Sequence, residues 1–326
     1  MQICITGANG FIGRHLVEAL LRQGYILRVL TRRVDCVFPV GVHVVQGDLT
    51  LEDVNLEPFL SGCDVLLHCA GEVNRVEMMR SLHVDGTQRL LQAVQNESSK
   101  RGKKIHWVQL SSIGAYGPAP DGFENLDRVV TEETPCRPIN EYEITKTISD
   151  DLVMSAVTDG LITYSVVRPS KVLGRHMVEP SLYKLIRIVD KKLFFYIGKP
   201  GAVATYVHVD DVVAALVKCS LNPVAKGRIY NVSSDCLLEE LIEQIALTLG
   251  ARPPWLRLPE GLTRQVVGWL DGRIPMPLSQ ARINGLVNRT RYATDRIVSE
   301  LDFVFSKPMP QAIDELVREY HGKLDR

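Results

Sequence analysis

The sequence predicts an α/β protein with a doubly wound parallel sheet and a smaller C-terminal α/β lobe. Three observations carry this. The first half alternates short apolar runs with helix-period segments, a glycine-rich turn stands between the first run and the first helix, and beyond Val167 the alternation gives way to short elements punctuated by proline.

Each strand expected in the first half is a short, mostly apolar run: Gln2–Thr6, Ile26–Leu30, Val42–Gln46, Val65–His68, Ile105–Leu110 and Thr163–Val167. Between the first two, Ile12, Leu16, Ala19 and Leu20 recur at helical spacing over 12–23, and Gly24 supplies the stop. The stretch from Ser112 to Asn140 has little periodicity and is rich in Gly, Pro, Asp and Glu, which is long for a connection inside a compact domain and suits a functional loop. Later helices are expected near Ser181–Lys191 and Leu237–Leu249.

Composition excludes several classes. The 326 residues carry 38 Lys+Arg against 38 Asp+Glu, with 45% hydrophobic residues, as in an ordinary globular protein rather than a disordered or fibrous one. The balanced charge carries no electrostatic footprint for nucleic acid. The seven cysteines are scattered without knuckle or redox-pair spacing, so they are expected to be reduced, and no metal site is expected. No apolar stretch reaches membrane-spanning length and the chain opens directly on a strand, so a cytoplasmic protein without membrane contact is expected.

The turn Thr6-Gly7-Ala8-Asn9-Gly10-Phe11-Ile12-Gly13 has the strand-to-helix context of a Rossmann dinucleotide fingerprint. Glycine there permits a tight turn and a close approach to pyrophosphate, whose charge meets free amides at the helix start. The second strand ends in Leu30-Thr31-Arg32-Arg33. A carboxylate at this place would accept the ribose diol of NAD, whereas Arg32 and Arg33 can pair with a 2′-phosphate, so NADP is favoured and NAD remains acceptable. Residues 1–170 are expected to form the NAD(P)-binding domain and 171–326 the substrate-binding lobe, some segments of which can return to the sheet.

Tyr142 and Lys146 are four apart on an expected helix, hence on one face, where an ammonium beside a phenol lowers its titration point and makes it a proton relay. Ser112 follows the fifth expected strand directly, which puts a hydroxyl at the carboxyl edge of the sheet, where such sheets bind ligands. The glycine turn, Gly47-Asp48-Leu49, His68-Cys69-Ala70-Gly71, Ser111-Ser112, Tyr142-xxx-Lys146, Arg168-Pro169-Ser170 and Val207-His208-Val209-Asp210-Asp211 together resemble the extended short-chain dehydrogenase/reductase (NAD-dependent epimerase/dehydratase-like) family over nearly the whole chain. The resemblance implies an enzyme in which Gly7, Gly10, Phe11, Ile12 and Gly13 hold pyrophosphate, Asp48 and Leu49 flank the adenine, and Ala70 and Gly71 meet the middle of the cofactor. It further implies that Lys146 binds the nicotinamide ribose, that Pro169 and Val172 lie against the carboxamide, and that Ser112 and Tyr142 face the reacting carbon. It implies a homodimer through the helix that includes Tyr142–Ser155 and the one after Met78, and a structural or loop-capping role for Asp210 and Asp211.

Three positions depart from the family pattern. His83 stands where the family carries asparagine, and is read as hydrogen-bonding backbone in its place, although a histidine can also titrate near neutral pH. Ile113 and Gly114 occupy the place of the acidic pair of 4,6-dehydratases, which disfavours elimination. Ala204 occupies the place of an arginine that pairs with diphosphate; Arg175, Lys184, Arg187, Lys199 and Arg282 are the alternative cations. The reading is thus an NADP(H)-preferring reductase of a small-molecule carbonyl, or in reverse of an alcohol, with the keto group of a nucleotide-activated sugar as first choice. The alternatives are a nucleotide-sugar 4-epimerase with retained NAD, a reductase of steroid-like or other apolar carbonyls, with which the run Leu193-Phe194-Phe195-Tyr196 is compatible although such a run is more often core strand than substrate wall, and a non-catalytic cofactor sensor. The presence of both Tyr142 and Lys146 weighs against the last.

Overall fold

A computed structural model describes residues 1–120, 123, 125–175, 177, 181–270 and 278–324. The sequence-expected strands form as β1 (Ile3–Thr6), β2 (Leu27–Thr31), β3 (Val42–Gln46), β4 (Val65–His68), β5 (Ile105–Leu110) and β7 (Ile162–Pro169). The short β6 (Arg128–Val130) lies outside their sheet. Helices α1 (Phe11–Arg22), α2 (Glu57–Leu60), α3 (Val76–Arg80), α4 (Gly86–Arg101) and α5 (Glu141–Ser155) connect them. The second half begins with β8 (Lys171–Leu173), α6 (Ser181–Asp190), β9 (Tyr196–Ile197), β10 (Val203–Ala204), β11 (Tyr206–His208), α7 (Val209–Leu221) and β12 (Arg228–Val232). It ends with β13 (Cys236–Leu237), α8 (Leu238–Thr248), β14 (Arg257–Leu258), α9 (Glu260–Leu270), α10 (Gln280–Val287), β15 (Thr290–Tyr292), α11 (Asp295–Leu301) and α12 (Asp314–Leu324).

The main sheet has seven strands in the order β12-β7-β5-β4-β1-β2-β3, every neighbouring pair parallel. Its order reverses between β1 and β4, and the carboxyl ends of those strands define the crevice where a doubly wound sheet binds ligands. The seventh strand was not expected from the sequence. Tyr230, Asn231 and Val232 of β12 are all buried, and the polar Asn231 hides the apolar run. With α7, which packs beside α1 on one face, β12 brings the chain back to the sheet after the 170 boundary. A separate core holds α6, α8 and the end of the chain together through Leu182, Ile186, Leu241, Ile245, Ile313 and Leu316.

The 112–140 stretch is tied down in its described part. β6 pairs in parallel with β15, and Arg128 donates to the carbonyls of Tyr116 and Gly117. The run Leu193–Tyr196, compatible with a substrate wall but read more readily as core strand, is largely core, with Phe194 and Tyr196 packed edge-to-face at 5.1 Å and Arg257 stacked over Tyr196 at 4.6 Å. Among the described residues, none of the large exposed apolar side chains lies on α4 or α5, the faces implied for a homodimer.

Close backbone approach fixes the phosphate turn. Gly7 has φ +71°, and a Cβ there would lie 2.5 Å from the Cys69 carbonyl; a Cβ on Gly13 would lie 2.1 Å from the Gly7 oxygen. A Gly13→Ala substitution should therefore cost about 1–3 kcal/mol through overpacking. Urea unfolding measures this, and an unchanged midpoint would show that the turn does not depend on this contact.

Candidate active site

The crevice is built at the ends of β1, β4 and β5. Helix α1 is N-capped by Gly10 and has no acidic residue in its first turn, leaving its first amides free to receive an anion. Asn9 reaches across to Thr31 at 2.6 Å and ties the turn to the end of β2. The glycine cradle that any side chain would fill fits a dinucleotide pyrophosphate, and Gly7, Gly10, Phe11, Ile12 and Gly13 are the residues that would hold it. Beside it, a cavity of about 720 Å³ opens between α1 and the segment after β2, lined among others by Asn9, Arg14 and Arg33. Arg33 thus faces the cavity, Arg32 is not among its lining residues, and Arg14 was not singled out by the sequence reading.

The other cofactor candidates ring the same edge. Asp48 accepts the backbone and hydroxyl of Thr50 at 2.9 and 2.8 Å, while Leu49 is buried in the core. Ala70 is half-buried and Gly71 is exposed at the end of β4. Pro169 closes β7, and Val172 pairs with Val207 across β8 and β11.

Helix α5 carries the catalytic candidates. Its N-cap Asn140 accepts the Glu143 amide at 3.0 Å. Lys146 is 4% exposed and donates to the Leu110 carbonyl at the end of β5, at 2.6 Å. Burial lowers its titration point, and Asp150, one turn on, raises it again. Asp150 is fully buried, accepts from Ser111 at 2.6 Å and pairs with the buried Arg168 at 3.1 Å. Arg168 was named in the sequence only within its motif with Pro169 and Ser170, and Asp150 not at all, because their meeting is a long-range contact without periodicity. Ser112 caps a short turn by accepting the Gly114 amide at 3.1 Å.

Tyr142 departs from expectation. Burial pushes its phenol above the ordinary value, and the Ser112 hydroxyl beside it offsets this only in part. The charges of Asp150 and Glu143 push it further in the same direction as burial. The phenol is accordingly held in its protonated form.

His83 substitutes for the family's asparagine in hydrogen bonding. Its Nε2 accepts the Glu72 amide at 2.9 Å, so the proton sits on Nδ1, 2.8 Å from Thr145 Oγ1, and Thr145 donates onward to the Glu141 carbonyl at 2.7 Å. The ring also meets Tyr142 edge-on at 5.8 Å. Burial, then the Lys146 charge, push His83 down to about 3, well below neutral pH. His68 is lowered by the same causes and bridges Thr6 at 2.7 Å and Thr87 at 3.3 Å, from which hydrogen bonds run through Ser149 and Gln109 to Trp107.

Elsewhere the motif residues are structural. His208 caps α7, Asp211 accepts the Ser306 amide and hydroxyl at 2.8 and 2.7 Å, and Asp210 pairs with Lys307 at 2.9 Å. Ala204 is buried, and Arg175, Lys184, Arg187, Lys199 and Arg282 are all exposed.

Residues 3–233 match the NAD dependent epimerase/dehydratase family, and the chain belongs to it. Among curated proteins the chain is similar to a ceramide reductase of Caulobacter vibrioides, 28% identical over 266 residues (79% of this chain, 74% of that protein). It is likewise similar to sterol demethylase protein B of Methylococcus capsulatus, 28% identical over 278 residues, 82% of this chain and 80% of that protein. Its fold is similar to that of MoeE5 in complex with UDP-glucose and NAD, with a TM-score of 0.72 at 22% identity and full coverage of both chains. The chain is an NAD(P)-dependent enzyme of the short-chain dehydrogenase/reductase type.

Two outcomes follow. Because the folded chain protonates His83 only near 3 while the unfolded chain does so near 6.5, its contribution to stability is complete above 6.5 and declines as pH falls toward 3. Urea unfolding of His83→Asn should show a shallower acid slope than wild type over that window, and an equal slope would contradict the assignment. Second, Tyr142→Phe should lower turnover by at least about a hundredfold while NADPH binding, followed by fluorescence titration, stays within about twofold. Normal turnover in this variant would remove Tyr142 from the chemistry.

Proposed function

We propose that this chain is an NADP(H)-preferring reductase of an apolar, lipid-class ketone. The observation that carries the reductive reading is Tyr142, kept protonated by burial with the Ser112 hydroxyl beside it at the edge of the sheet. A phenol in that form is the acid that carbonyl reduction requires. The bound cofactor supplies the hydride. Ser112 and Tyr142 hold the carbonyl oxygen, and Tyr142 releases its proton to that oxygen as negative charge develops on it. Lys146, fixed on the Leu110 carbonyl, supplies a donor for the ribose hydroxyls. The neutral His83 orders the loop after β4 against α5, so that Tyr142 and the loop keep one relative position.

The NADP preference rests on the arginine at the end of β2 and the absence of a carboxylate within that strand. For the substrate, Ala204 leaves no charge at the place where nucleotide-sugar members carry arginine, and the alternative cations lie exposed on the surface. The relatives named for ceramide and sterol favour the same apolar class. The second reading, a nucleotide-activated sugar with reduction or 4-epimerisation of its keto form, is favoured by the UDP-glucose bound to MoeE5.

NADPH consumption with long-chain and sterol 3-ketones, compared with a UDP-4-keto sugar, tests this. The expected result is a kcat/KM at least about tenfold higher for the apolar ketones; the reverse ranking would transfer the assignment to the sugar. The reductive rate should stay flat through neutral pH and fall only in alkali, whereas the oxidative rate should climb with pH, because burial holds the Tyr142 proton on. A reductive rate that falls below pH 7 as pH rises would contradict the acid role.

A further inference from the structure

We propose that Arg14, from the first turn of α1, completes the binding site for the 2′-phosphate of the cofactor and shares with Arg33 the discrimination of NADP(H) from NAD(H). The inference rests on the NADP reading and assigns the residues that produce it.

The cavity of about 720 Å³ is lined by Arg14 from α1 and by Arg33 from the segment after β2, with Val17 and Phe38 supplying apolar lining. Arg14 immediately follows Gly13, whose missing side chain allows α1 to begin hard against the phosphate turn. Asn9 holds that turn to Thr31, and Thr31 Oγ1 also accepts the Arg33 amide at 3.1 Å, so the two arginines are referred to one rigid corner.

Both guanidiniums lack an ion pair among the described residues, unlike Arg22 with Glu18, Arg101 with Asp64 and Arg168 with Asp150. Two carboxylates, Glu18 and Asp35, also line the cavity. Glu18 is engaged by Arg22 at 3.5 Å, while Asp35 has no basic partner among the described residues. With Arg22 offsetting Glu18, two guanidiniums face one carboxylate, and the cavity keeps a net positive charge. A phosphate dianion satisfies two planar guanidiniums through charge-assisted, bidentate hydrogen bonds, which a bare ribose diol cannot replace. Arg32, which the sequence offers equally with Arg33, is not a lining residue and takes no part.

The test compares adenosine 2′,5′-bisphosphate with adenosine 5′-monophosphate, by calorimetric titration of wild type and of Arg14→Gln, Arg33→Gln and Arg32→Gln. These probes differ only in the 2′-phosphate and require no turnover. Wild type should bind the bisphosphate at least about tenfold more tightly than the monophosphate. Arg14→Gln and Arg33→Gln should each lose most of that ratio while binding the monophosphate as before, and Arg32→Gln should keep it. Thermal unfolding of each variant confirms an intact fold, which the exposed position of Arg14 favours. Full discrimination retained in Arg14→Gln would overturn the assignment of Arg14 and leave the NADP reading standing. Equal loss of both ligands in that variant would move Arg14 to the pyrophosphate and likewise overturn it. A wild type that binds both probes alike, with monophosphate binding weakened by Asp35→Asn, would overturn the NADP reading itself.

Discussion

An ammonium enclosed at the end of a central strand is the constraint on which the rest of the site depends. Lys146 is almost fully buried, and an isolated charge cannot stay there. The Leu110 carbonyl gives it a hydrogen bond, and Asp150, one helical turn along, gives it a counter-charge. Asp150 is itself buried and is matched by Arg168 from β7, which stacks over Tyr116 at 4.9 Å. Replacing one member of such a pair leaves the other uncompensated, at a typical cost of about 3–5 kcal/mol. These charges therefore join α5 to β5 and β7.

The same ammonium sets the state of its neighbours. Burial, and after it this positive charge, keep His68 and His83 neutral, and a neutral imidazole can accept as well as donate. His83 uses both nitrogens, one toward the loop after β4 and one toward α5, while His68 joins β1 to α4. Histidine thus replaces the amide of an asparagine without adding a titrating group near neutral pH. The Tyr142 phenol, pushed up by burial, keeps its proton.

What was legible in the sequence is what local pattern encodes. Six strands of the sheet, the glycine turn and the helical spacing of Tyr142 and Lys146 followed from periodicity and spacing, and the structure forms β3, β4 and β5 at the expected limits. What was not legible depends on contacts between distant segments. The strand at Arg228–Val232 carries a buried asparagine that breaks its apolar run, so only its pairing with β7 reveals it. The partnership of Asp150 with Arg168, and the convergence of Arg14 with Arg33 on one cavity, likewise exist only once the chain has folded back. The apolar run at Leu193–Tyr196 was ambiguous because core and substrate wall share one composition.

The most direct test of the central claim, that Tyr142 protonates a ketone to which hydride is delivered, is a single-turnover reduction with NADPH deuterated at C4, followed by mass spectrometry of the product. Deuterium on the carbinol carbon in wild type, with no labelled alcohol formed by Tyr142→Phe under the same conditions, is the expected outcome. Consumption of the ketone without deuterium on that carbon, or undiminished labelled product from Tyr142→Phe, would contradict it.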